Sequence, residues 1–86
     1  PSAFTPNGDG LNDNFGVLGD VTVKNFSLEI YDKWGQRVFN TTDITRKWDG
    51  SFKGKKSPNG AYPWFIYYTT GNGTRKYMQG TVMLIR

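Results

Sequence analysis

Residues 61–70 read AYPWFIYYTT, and this run limits the possible folds more than any other part of the chain. Its large side chains alternate. Tyr62, Trp64 and Ile66 fall on one face of an extended strand, and Phe65 and Tyr67 on the other. A helix would scatter the same residues around its circumference. Because Tyr62 and Trp64 share a face with Ile66, they are expected to pack in a core rather than stack on a ligand. Pro63 has no amide to donate to a ladder, which predicts a strand that lies at a sheet edge or is bulged near its start.

The same alternation recurs in residues 23–32, where Phe26, Leu28 and Ile30 oppose Ser27, Glu29 and Tyr31, the pattern of a half-buried strand. Lys33-Trp34-Gly35 reads as a tight connection, with Gly35 free to take positive φ, and the chain returns through Gln36 to Phe39 as a hairpin. Residues 40–45 are polar and β-branched, suiting a loop or crossover. Trp48-Asp49-Gly50 and Ser57-Pro58-Asn59-Gly60 are turn chemistry, and residues 51–56 between them read as an irregular loop or a short edge. Gly71-Asn72-Gly73-Thr74 closes a second hairpin. Residues 75–86 complete it, with Val82 and Leu84 on one face and Met83 and Ile85 on the other. No segment sustains a helical period with caps. The expectation is an all-β fold, a small two-sheet sandwich of about six to seven antiparallel strands, with a small open barrel as the alternative.

A chain of 86 residues makes one domain. Its opening, Pro1-Ser2 without an initiator Met, is expected to mark an excerpt of a longer protein. Three Trp, five Tyr and six Phe must supply much of the core. The sequence has no Cys and no His, which rules out disulfides, thiolate nucleophiles, imidazole bases and the usual zinc sites. Asp9 and Asp13 sit in a Gly-rich loop where nothing raises a carboxyl pKa, and no phosphate-binding loop occurs, so no enzyme is expected. The net charge is +4 with scattered cations; the densest cluster, Lys53, Lys55 and Lys56, reads as a solvated loop rather than a nucleic-acid patch. No apolar run reaches the ~18 residues of a membrane helix. No nucleic acid, no membrane insertion and a monomer are the resulting expectations.

Residues 5–13, TPNGDGLND, fit the calcium-loop template D-x-N-x-D-G-x-x-D. That template needs oxygens at alternate positions, a Gly at the sharp turn and a backbone carbonyl after it. Asn7, Asp9 and Asp13 would give side-chain oxygens, Leu11 its carbonyl, and Gly10 the turn. Thr5 departs from the first position and Gly16 from the twelfth. The other reading is an Asx- and Gly-rich loop bonded to its own amides, and both stay open. Phe4 and Phe15 are expected to pin the loop by inserting at its two ends. Trp34 either covers one end of the core or stands exposed for recognition. Trp48-Asp49-Gly50 is either a buried Trp followed by an Asx turn, or a tie from Asp49 to the acidic loop. Val82, Leu84 and Ile85 are expected to be buried in a last strand.

Taken in order, the loop from Phe4 to Asp13, Trp34-Gly35, Trp48-Asp49-Gly50, Asn59-Gly60-Ala61-Tyr62 and the closing Gly80-Thr81-Val82-Met83-Leu84-Ile85-Arg86 resemble the gliding-motility-associated C-terminal domain. That domain is the type B sorting signal of the Bacteroidota type IX secretion system. The resemblance implies an immunoglobulin-like sandwich that acts as an address label at the end of a large exported protein such as a surface adhesin. It implies passage through the periplasm to the cell surface or extracellular space. The implied partners are the outer-membrane translocon and a dedicated outer-membrane partner protein. Asn7, Asp9, Asp13, Trp34, Gly35, Leu84, Ile85 and Arg86 are the residues it points to. The competing class is an adhesive or carbohydrate-binding β-module, which needs coplanar rings exposed on one sheet face. A structural spacer is a third reading.

Overall fold

The structure, a computed structural model, describes residues 3–4, 14–17 and 23–86. Residues 7–13, with the calcium reading at Asn7, Asp9, Leu11 and Asp13 and the Asp49 tie to them, lie outside the described residues.

Among the described residues there are seven strands and no helix: β1 (Ala3–Phe4), β2 (Lys24–Tyr31), β3 (Arg37–Thr41), β4 (Ser51–Phe52), β5 (Lys55–Lys56), β6 (Gly60–Thr69) and β7 (Arg75–Leu84). Five form one sheet in the order β1-β7-β6-β2-β3, and β4-β5 form a second, two-stranded sheet. The expected small immunoglobulin-like sandwich is therefore present with unequal layers. One pairing departs from the antiparallel expectation. β1 runs parallel to β7, with Ala3 opposite Met83 and Phe4 opposite Leu84. Strands so far apart in sequence are not joined by a hairpin, so no turn constrains their relative direction.

The two long hairpins use the same turn. In the β2–β3 hairpin the Asp32 amide donates to the Gln36 carbonyl at 2.9 Å and the Gly35 amide to the Asp32 carbonyl at 3.1 Å. In the β6–β7 hairpin the amides of Thr70 and Gly73 make the matching bonds to the carbonyls of Thr74 and Thr70. The third loop residue carries positive φ in each, 81° at Gly35 and 88° at Gly73, the mark of a three-residue loop closed by a glycine bulge. Residues 51–56, read above as a loop or edge, form a tight hairpin instead. Lys53 and Gly54 both take positive φ, as a two-residue mirror-image turn demands.

Pro63 is a correction. β6 is the central strand of its sheet, not an edge. The β2 ladder ends at Ile30 opposite Trp64, one residue short of Pro63, while the β7 ladder continues through Pro63 opposite Thr81. The missing donor thus falls where β6 has already lost its β2 neighbour.

The core lies between the sheets. Leu28 and Ile30 from β2, Tyr62 from β6 and Val82 and Leu84 from β7 are buried there against Phe4, Phe15 and Trp48. Phe15 and Trp48 exchange backbone hydrogen bonds of 2.8 Å in both directions, which fixes the second layer. Trp48 then stacks edge-on against Tyr62 at 5.0 Å and lies 5.4 Å from Phe4. Phe4 and Phe15 are buried as expected. Asp49 accepts from the amide and hydroxyl of Ser51, so Trp48-Asp49-Gly50 is a buried Trp followed by an Asx turn.

Candidate functional site

Trp34 sits at the tip of the β2–β3 turn and is 81% exposed, the most open large apolar side chain described. Its backbone is held firmly. One oxygen of Asp32, Oδ1, accepts the amides of Trp34 and Gln36 at 2.9 Å each, and Gly35 supplies the left-handed step behind it. The ring is presented to solvent on a fixed turn rather than covering the core. The Lys33 ammonium lies 5.1 Å from its centroid.

Across from this turn, the β4–β5 hairpin and residues 57–60 form the other wall of a groove of about 420 Å³. Val38, Phe52 and Tyr62 line it apolarly, and Lys33, Lys55 and Lys56 supply cations. Asp32 is the one carboxylate in its wall. Tyr62 holds residues 57–60 in place by donating its hydroxyl to the Pro58 carbonyl at 2.6 Å. Burial, with the Asp32 charge second, pushes the Tyr62 phenol above its ordinary range and keeps that donor protonated.

The last residues meet the same wall from the other side. The Arg86 guanidinium donates to the carbonyls of Ser57 and Gly50. Its amide donates to Asn59 Oδ1 at 3.0 Å, and the Asn59 amide group donates back to the Arg86 carbonyl at 3.4 Å. Asn59 therefore pairs with Arg86 through its side chain much as a strand would through its backbone. On the opposite flank the Ile85 amide donates to the Phe4 carbonyl at 3.0 Å.

Two of the sequence expectations for this end change. Leu84 is fully buried and packs in the core, so it presents no surface to a partner. Ile85, expected to be buried with Val82 and Leu84, is 47% exposed. It lies beyond the last paired residue of β7, one step out of phase with the two inward side chains. The structure thus gathers Trp34, Gly35 and Arg86 around one end of the sandwich, through the 57–60 segment. Asn7, Asp9 and Asp13 are outside the described residues. Sequence reading missed Asn59 and the Lys33, Lys55 and Lys56 set. Asn59 was legible as a turn residue and as the start of the Asn59-Gly60-Ala61-Tyr62 motif but not as a partner of Arg86, and the lysines come from two segments that only the fold brings together.

A second surface lies on the solvent face of the large sheet. Tyr31, Phe65, Tyr67 and Tyr77 form a continuous row there. Tyr31 meets Phe65 edge-on at 5.6 Å, Phe65 stacks on Tyr77 at 6.3 Å, and Tyr77 lies 4.9 Å from Tyr67. The Arg37–Glu29 ion pair of 3.3 Å borders it, and Tyr77 donates its hydroxyl to Gln79 at 2.5 Å. Trp64, on the opposite face, packs against the core as alternation requires.

No curated protein matches this sequence. The family model described as the CHU_C type IX secretion signal domain matches residues 1–84, which takes in all seven strands. The chain belongs to that family of type IX secretion signal domains.

Proposed function

We propose that this domain is a non-catalytic sorting signal at the end of a larger cargo protein such as a cell-surface adhesin. It directs that cargo through the periplasm and across the outer membrane by the type IX translocon. The observation that carries the reading is the family match over residues 1–84. The exposed Trp34-Gly35 turn and the side chain of Ile85 are the features of the gathered end that a dedicated outer-membrane partner would touch. Arg86 contributes by holding that end in shape. Export of a fluorescent fusion in a type IX-competent bacterium tests it, with Trp34→Ala and Ile85→Ala as the informative variants. Deleting Leu84 to Arg86 is the poorer test, because it removes a fully buried side chain and the clasp together. Calcium at Asn7, Asp9, Leu11 and Asp13 stays a proposal beside the self-bonded loop. A rise in Tm with calcium that EDTA reverses and Asp9→Asn abolishes would assign the metal.

A second reading, an adhesive or carbohydrate-binding module, is favoured by the aromatic row on the outer sheet face. Tyr67 and Tyr77 are exposed, Tyr31 and Phe65 half-buried beside them, and polar groups border the row, which suits the flat apolar side of a sugar. Cross-strand aromatic pairs also stabilise a sheet without any ligand. Loss of oligosaccharide binding in Tyr67→Ala and Tyr77→Ala, with export intact, would establish it.

A further inference from the structure

We infer that the groove between the Trp34 turn and the β4–β5 hairpin receives an acidic polypeptide segment of the outer-membrane partner, an inference that rests on the sorting reading. Charge complementarity names the occupant. Lys33, Lys55 and Lys56 all line the groove. None of the three is in an ion pair among the described residues, where Arg37–Glu29 is the one such pair. Asp32 is the one carboxylate in the lining, so three cations stand against a single anion, whose Oδ1 accepts two amides of its own turn. The groove therefore carries a net positive field over an apolar floor, and low-dielectric walls strengthen such a field.

The geometry also separates a polypeptide from a flat anionic surface. Three lysines line a concave groove of about 420 Å³, which is space for a few side chains. Trp34 stands at its rim on a turn whose conformation is already fixed by Asp32 and Gly35. A rigid, exposed Trp beside an apolar floor is the usual centre of a protein interface, and the surrounding charges choose the partner and speed encounter. The occupant that satisfies both parts is an extended segment alternating carboxylates with an apolar residue.

Tryptophan emission reads this directly, because Trp48 is buried and Trp64 packs on the core while Trp34 is open. The probe is poly-L-glutamate titrated into the 86-residue chain. The expected result is a saturable change in emission that 0.5 M salt suppresses. Lys33→Glu, Lys55→Glu and Lys56→Glu together should weaken it at least about tenfold, the scale of losing close charge pairs. Lys24→Glu, Arg75→Glu and Lys76→Glu make the same charge change at the far end of the sheet, where Lys24 and Arg75 both pair with Thr69. These should leave the titration unchanged. No response to poly-L-glutamate, or equal losses in both triple variants, overturns the inference. A response to phosphatidylglycerol vesicles in place of poly-L-glutamate also overturns it and assigns the groove to an anionic lipid surface. The titration does not depend on export. Its failure with export intact sinks only the acidic partner, and failed export with a positive titration sinks only the sorting reading.

Discussion

The guanidinium of Arg86 donates to the carbonyl of Gly50 at 2.7 Å, across 36 positions of sequence. With the bond to Ser57 and the reciprocal pairing with Asn59, it ties the end of the large sheet to the small one. Gly50 is buried and Ser57 donates its amide to the Gly50 carbonyl as well, so one oxygen serves both the turn and the clasp. Arg86 is therefore held in the fold by bonds to three separate residues, Gly50, Ser57 and Asn59.

Arg86→Ala should destabilise the fold by about 1–2 kcal/mol, the lower part of the range for charge-assisted hydrogen bonds because the residue is exposed. Arg86→Lys should restore less than half of that, since a single ammonium cannot span two carbonyls as a planar fork does. Urea unfolding at unchanged slope is the check.

Gly80 faces Trp64 across the β6–β7 ladder, and a Cβ added there would lie 2.5 Å from Cζ2 of the indole. The obstacle is a rigid ring held by the core. Gly80→Ala should cost about 1–3 kcal/mol by overpacking. Trp64→Leu combined with Gly80→Ala should cost less than the two single changes added, and a double-mutant cycle measures the difference.

Much of this was legible in the sequence. Alternation in residues 23–32, 61–70 and 75–86 placed Leu28, Ile30, Tyr62 and Val82 inward, and glycine-bearing turns marked both long hairpins. The misreadings share a cause, which is that neighbours in space were unknown. Pro63 looked like an edge residue because ladder length cannot be read from composition, and the β2 ladder stops just before it. Ile85 looked buried because it is aliphatic, yet it follows the end of β7. The groove was invisible because its cations lie on Lys33 and on Lys55 and Lys56, which only the two-sheet packing brings into one lining.

Tyr62→Phe removes the 2.6 Å bond to the Pro58 carbonyl and should cost about 1 kcal/mol at neutral pH. The Tyr62 phenol is raised in the folded state, chiefly by burial. Its contribution is therefore fully present below the ordinary tyrosine range and is lost as pH rises through it, when the unfolded chain ionises first. The variant should lose less stability than the wild type on going to alkaline pH, and Tm measured against pH reads the slope.

Asp43 has the opposite sign. The Thr45 hydroxyl, and then the Thr45 amide, hold its carboxyl below the usual aspartate range. Its contribution is present above the unfolded value and disappears as pH falls through the folded one. Asp43→Asn should therefore flatten the acid limb of the same Tm profile.

Trp34→Ala should leave stability within about 0.5 kcal/mol, as expected for a side chain that is 81% exposed. Its effect belongs to recognition, so unchanged unfolding with impaired export is the expected pairing.

The most direct measurement is therefore export itself. A periplasm-targeted fluorescent protein carrying these 86 residues at its C-terminus is expressed in a type IX-competent bacterium and in a strain lacking the translocon. The account predicts surface or medium fluorescence that requires the translocon, with Trp34→Ala lowering it at least about tenfold while the fusion stays folded. Periplasmic retention of the wild-type fusion beside a cognate partner protein, or export that persists without the translocon, would contradict it.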